Sequence, residues 1–228
     1  MTQLKVSRNR SLLPSFTVLS LLTGALLLKA TPSLAHHAMG GNLPTTWFQG
    51  LMSGLAHPII GPDHFAFIVA VGLLAAIKRQ GLWLPVAFVV AAMLGTGLHL
   101  TQFNLPGVEL FVSGSIVLFG ALLVMKKSPN TGLVAVLTAI AGLFHGYAYG
   151  EAIFGAETTP FFAYLAGFTM IQLVISIATF WISHVMILGR NPEGGAVQFH
   201  SAGFVILGMG LAFLISQVMS LLFPFAAA

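Results

Sequence analysis

The sequence predicts an all-α polytopic membrane protein. Six transmembrane helices follow an N-terminal signal peptide (or a seventh helix, if that segment stays as an anchor), and the first mature helix is interrupted near residues 57–62. Three observations lead there. Hydrophobic residues make up 57% of the 228 and charged residues only 6%, against about 25% charged in ordinary soluble domains. Turn-bounded apolar stretches near the ~20 residues that a bilayer requires recur along the chain. Lys and Arg fall in alternate loops, as the positive-inside rule demands. The first comparison excludes a soluble globular domain. The net charge of +4 reads as topology and not as nucleic-acid binding, because most of the basic residues flank apolar segments.

Residues 1–35 read as an export signal or an uncleaved signal anchor, and 36–228 as one transmembrane helical domain. Lys5, Arg8 and Arg10 form a basic start, 11–28 an apolar core, and Ser33-Leu34-Ala35 a small-x-small cleavage site. Spans are expected at about 47–77 (interrupted), 82–101, 107–125, 132–149, 161–188 and 200–223. Lys78-Arg79, Lys126-Lys127 and Arg190 lie in alternate loops, whereas the loops between them hold Glu109, Glu151 and Glu157. That alternation assigns 78–81, 126–131 and 189–198 to the cytoplasm of a multi-pass inner or plasma-membrane protein, with both mature ends outside. The loops are too short for an extramembrane domain. No G-x-x-x-x-G-K-[ST] loop occurs, so nucleotide hydrolysis by that route is excluded.

The most informative stretch is His57-Pro58-Ile59-Ile60-Gly61-Pro62-Asp63-His64, which holds two imidazoles and an Asp inside an apolar segment. An ionisable group at membrane depth costs roughly 2.5–3.5 kcal/mol on insertion scales and tends to line a polar pathway or an ion. An unbroken helix over 47–77 would run about 46 Å, beyond the ~30 Å hydrocarbon core. Pro58 and Pro62 lack backbone donors, and Gly61 is permissive beside them. A break near 57–62 resolves the length and lets a half-helix restart at Pro62, with Asp63 and His64 in its positive first turn. It also resolves the reach. On a straight axis His57 and His64 stand about 10.5 Å apart, too far to share an ion bound at about 2.0–2.1 Å.

A second constellation is Phe144-His145-Gly146-Tyr147-Ala148-Tyr149-Gly150-Glu151, at the outer end of the fourth span. Gly142, Gly146 and Gly150 make a small-residue stripe that permits close helix approach. Glu151 gains interest from its closeness to His145, since alone it reads as a solvated acid. His99 falls at similar depth, with ligand and interfacial hydrogen-bonding readings level. His57, Asp63, His64, His99 and His145 are therefore expected to converge on the outer half. His36-His37 would form a capture site beside a new amino terminus, or simply begin the mature chain. His184 and His200 read as structural, with an exit relay as the functional alternative. Imidazole and carboxylate donors in a chain with no Cys suit Ni, Co, Zn, Cu or Fe in the divalent state better than Mg or Ca.

At these residues the chain resembles the HupE/UreJ family, regarded as nickel or cobalt permeases linked to hydrogenase and urease maturation. The resemblance rests on His57-Pro58 through Asp63-His64, on Ala70-Val71-Gly72-Leu73, and on Phe144-His145-Gly146 with Ala148, Gly150 and Glu151. It implies that His57, Asp63, His64, His145 and Glu151 serve metal recognition and passage. Tyr149 stands where related sequences are expected to carry another His. The reading is then a secondary permease for Ni²⁺ or Co²⁺, not an enzyme, with the metal as cargo and no prosthetic group. Its expected partners are the bilayer, the ion and metalloenzyme maturation proteins, and not nucleic acid. Two alternatives stand beside it. One is an intramembrane zinc-dependent hydrolase, disfavoured by the lack of a His-Glu-x-x-His motif. The other is a non-transporting scaffold for metalloenzyme assembly.

Overall fold

The computed structural model describes residues 42–188 and 192–223, without the side chains of 186–188 and 192–198. All of these belong to the compact unit Leu34–Ala228. The expected signal segment 1–35 and His36-His37 lie outside the described residues. The described secondary structure is wholly helical: α1 Trp47–Ile60, α2 Pro62–Ala76, α3 Trp83–Leu100, α4 Val108–Val124, α5 Thr131–Glu151, α6 Thr158–Ile182 and α7 Pro192–Leu222, with a π-helical turn, Ser183–Leu188, continuing α6.

Four of these helices have the length and apolarity to cross a membrane, and α1 with α2 makes a fifth if the bent pair is one span. Helix α4, at 17 residues, is apolar but one residue shorter than α3, at 18. The multi-span helical architecture is thus present, and length alone does not bring the count to six.

The interruption falls inside the expected window. Helix α1 ends at Ile60, Gly61 is extended at φ −75° and ψ 102°, and Pro62 opens α2 as its first residue. The two axes differ by 78°. Pro62 has no N–H to return to Pro58, so the hydrogen-bond ladder cannot run through this point. The first turn of α2 is stabilised instead by Asp63, whose Oδ1 accepts the His64 N–H at 2.8 Å, taking up one of the donors that a helix start leaves without an intrahelical acceptor.

Helix α2 is the centre of the described helices. Every residue from Ala70 to Ala76 is buried, and α3, α4, α6 and α7 all pack on it, the arrangement expected of a helix apolar on all sides. Around it the closest pairings are α3 with α5, α4 with α7, and α1 with α6. Two glycines set these approaches. A Cβ on Gly146 would collide with the Ala92 carbonyl of α3, and one on Gly54 with the Tyr164 carbonyl of α6. Gly142 and Gly150 face Phe88 and His99 in the same way, so the stripe read in the sequence is the α3–α5 contact. Large apolar side chains such as Trp47, Trp83, Phe162, Trp181 and Phe204 are exposed on the outside, as a lipid-facing surface requires.

The loops sort by charge. Lys78 Nζ donates to the Pro129 carbonyl, and Thr131 Oγ1 donates to the Arg79 carbonyl at 3.0 Å, so the loops bearing Lys78-Arg79 and Lys126-Lys127 meet at one end. Burial lowers the Lys78 pKa. Glu109 and Glu151 share a pocket with the end of α7, at the opposite end of their helices.

Candidate metal centre

Three imidazoles meet beside the break. His57 is the fourth-last residue of α1, His64 lies in the first turn of α2, and His145 stands near the end of α5. They are 2%, 1% and 0% exposed respectively, so what each ring can do depends on its protein partners.

Those partners assign the protons. Tyr164 of α6 donates its hydroxyl hydrogen to the Tyr149 carbonyl at 3.0 Å, and its oxygen stands 3.0 Å from His57 Nδ1. A phenol has one hydrogen, so in that second contact it accepts, and His57 Nδ1 carries the proton. Neutral His57 therefore bears its basic lone pair on Nε2. The same reasoning runs through Ser115 of α4. Its hydroxyl donates to the Val112 carbonyl at 2.7 Å and so accepts from His145 Nε2 at 3.0 Å. Neutral His145 then has its lone pair on Nδ1, which lies 2.8 Å from His64 Nδ1. His64 must donate there, and its own lone pair also falls on Nε2. Hydrogen-bond partners choose the tautomers of all three rings.

The His57 and His64 rings are 5.7 Å apart between centroids and inclined at 61°. An imidazole centroid lies about 3.2 Å from a metal bound at about 2.0–2.1 Å, so two rings sharing an ion stand at most about 6.4 Å apart. The pair satisfies that limit. The bend makes this proximity, because a straight helix would separate the rings along its axis. Tyr149 packs against both, at 4.4 Å from His64 and 5.0 Å from His57. Phe67 stacks on His145 at 4.3 Å. Aromatic walls keep water out and strengthen every polar contact inside.

Asp63 sits beside this cluster, 8% exposed, at the positive end of α2 and within electrostatic reach of His145 and Tyr149. His145 uses both ring nitrogens in hydrogen bonds, so in this arrangement it orients His64. Among the described residues, no three His, Asp or Glu side chains stand together as a metal-holding group.

His99 and Glu151 do not join the cluster. The His99 ring lies against Tyr147 at 4.6 Å and Phe154 at 5.7 Å and covers Gly150. With Glu151, Glu109 and Gln217 it lines a separate pocket of about 460 Å³. Position along the helix explains this, since Glu151 lies about 9 Å beyond His145 on the α5 axis. His184 stacks on Phe180 at 5.6 Å, near the Lys78 loop. Sequence reasoning missed Tyr164, Ser115 and Glu109 as partners. The only signal for Tyr164 was a hydroxyl in an apolar span.

A buried imidazole cluster at a helix break, within a bundle of apolar helices, defines a polytopic membrane protein built around polar groups at membrane depth. The HupE / UreJ protein family model matches residues 24–213, and the chain belongs to that family. It is 28% identical over 198 residues to Protein HupE of Rhizobium leguminosarum bv. viciae, covering 86% of this chain and 98% of that protein. No solved structure matches.

Proposed function

We propose that the chain is a secondary permease for a divalent transition metal, Ni²⁺ or Co²⁺, serving metalloenzyme maturation or cofactor synthesis. The observation that supports this reading is the hydrogen-bond chain that sets the His57 and His64 tautomers, together with their ring centroids 5.7 Å apart, inside the limit for two imidazoles on one ion. Imidazole without thiolate selects borderline divalent metals over Mg²⁺ or Ca²⁺. The remaining coordination positions go to water, to Asp63 or to carbonyls at the break, as in discontinuous transporter helices.

The path begins at the pocket of Glu109, Glu151 and His99, whose acids attract a hydrated cation. His57 and His64 then replace part of its water, and a shift of α6 against α1 and α2 releases it towards the Lys78 end. Six crossings, with α4 as the shortest, put the acidic pocket outside and the Lys78 and Lys126 loops in the cytoplasm. Segregation of acidic and basic loops to opposite ends supports that orientation. Radiometal uptake into cells tests the reading: wild type accumulates Ni²⁺ or Co²⁺ saturably, and His64→Ala abolishes the saturable component. Saturable uptake unchanged in that variant overturns the site assignment.

A further inference from the structure

Helix α6 carries a buried polar stripe that continues past the imidazole cluster. Tyr164, Phe168, Gln172 and Ser176 occupy successive turns, and all four are 0% exposed. Four-residue steps keep them near one face, about 6 Å apart along the axis. Tyr164, at the head of the stripe, holds His57. Glycine contacts fix the depth of the rest. Gly54 of α1 lies against the Tyr164–Phe168 backbone, and Gly72 of α2 against Ser176 and Thr179. Gln172 thus lies between these levels, beyond Phe168 towards the Lys78 end.

Both polar atoms of the Gln172 amide are buried without a hydrogen-bond partner, and so is Thr169 Oγ1 one turn before it. Ser176 differs, because its hydroxyl is satisfied by the Gln172 carbonyl at 2.7 Å. An amide kept for packing would be replaced at lower cost by leucine, and one kept to join helices would have a partner. Polar groups in a span that serve neither end mark a pathway. The same face leads on to Phe180 and His184, which line a cavity of about 500 Å³ at the Lys78 end.

We propose that Gln172 and Thr169 form a second station for the divalent cation, built from neutral oxygen donors, between the imidazoles and the Lys78 end. The proposal rests on the permease reading. Amide and hydroxyl oxygens hold a borderline metal more weakly than imidazole and leave it most of its water. A weak second site is what conduction requires, since an ion bound too tightly cannot leave. The imidazoles would select, and Gln172 would receive the ion as it departs.

The test uses purified full-length protein, Ni²⁺ alone, and two readouts: equilibrium binding in detergent, and influx into vesicles loaded with a Ni²⁺-quenched fluorophore. Gln172→Leu, with Gln172→Met of matching length beside it, keeps the binding constant within twofold and lowers saturating influx at least fivefold. Thr169→Val lowers influx less. The thermal midpoint of Gln172→Leu stays at or above wild type, separating lost passage from misfolding. Influx equal to wild type in the folded Leu and Met variants overturns the station, as does a joint fall of binding and influx. Wild-type vesicles that admit no Ni²⁺ overturn the permease reading and this proposal together, a result read before any variant is made.

Discussion

His64 of α2 and His145 of α5 face each other through their Nδ1 atoms at 2.8 Å, and the direction of that bond separates their roles. Ser115 forces His145 to accept, so His64 donates and turns its basic nitrogen away from His145. His145 is then an orienting residue. Its replacement by Ala should weaken Ni²⁺ binding by about 10–100-fold, the usual cost of losing an outer-shell partner, and leave residual binding measurable by calorimetry. His64→Ala should remove that binding altogether. Equal losses in the two variants would contradict this division.

Tyr164 holds two partners with one hydroxyl, the Tyr149 carbonyl and His57 Nδ1. Tyr164→Phe keeps the ring and strands both. A buried group left without its partner costs about 1–3 kcal/mol, so chemical unfolding in detergent should report a loss of that size. Metal affinity should also fall, because His57 no longer has its tautomer fixed. An unaltered affinity would separate His57 from the metal site.

The break brings the His57 and His64 rings to 5.7 Å, and the permease reading depends on that approach. Pro58→Ala with Pro62→Ala restores the missing backbone donors and allows a continuous helix. The double variant should fold, since alanine is the best helix former, yet lose metal binding as His57 and His64 move apart. Retained Ni²⁺ binding would show that the bend is incidental.

Gly146 follows His145 and touches the α3 backbone at Ala92. Gly146→Leu should force α3 and α5 apart at a cost of about 1–3 kcal/mol or more, the range for overpacking. A lowered thermal midpoint in detergent checks this, and an unchanged midpoint contradicts the packing role.

The helical architecture and the break were legible because local chemistry dictates them. Pro58, Gly61 and Pro62 interrupt a ladder whatever surrounds them, and apolar length marks a span. The pairing of His57, His64 and His145 was half legible: topology gives common depth, and the bend gives reach. Depth, however, is one coordinate of three. Depth left the ligand and interfacial readings of His99 level, and its ring packs on Gly150 and lines the Glu151 pocket, away from His57 and His64. Tyr164 and Ser115 stayed hidden because each comes from a helix distant in sequence, and neither residue type signals metal chemistry by itself. The spacing of Tyr164, Gln172 and Ser176 along one face does not by itself separate a polar stripe from ordinary core, and the burial of Gln172 without a hydrogen-bond partner does.

The central claim is that one divalent ion is held by Nε2 of both His57 and His64. X-ray absorption at the metal edge of Ni²⁺-loaded, purified protein tests it most directly. Wild type should show scattering from two imidazoles with metal–nitrogen distances near the borderline-metal range of about 2.0–2.1 Å, and His57→Ala should show one. A spectrum with only oxygen neighbours, or one unchanged by the substitution, would contradict the account.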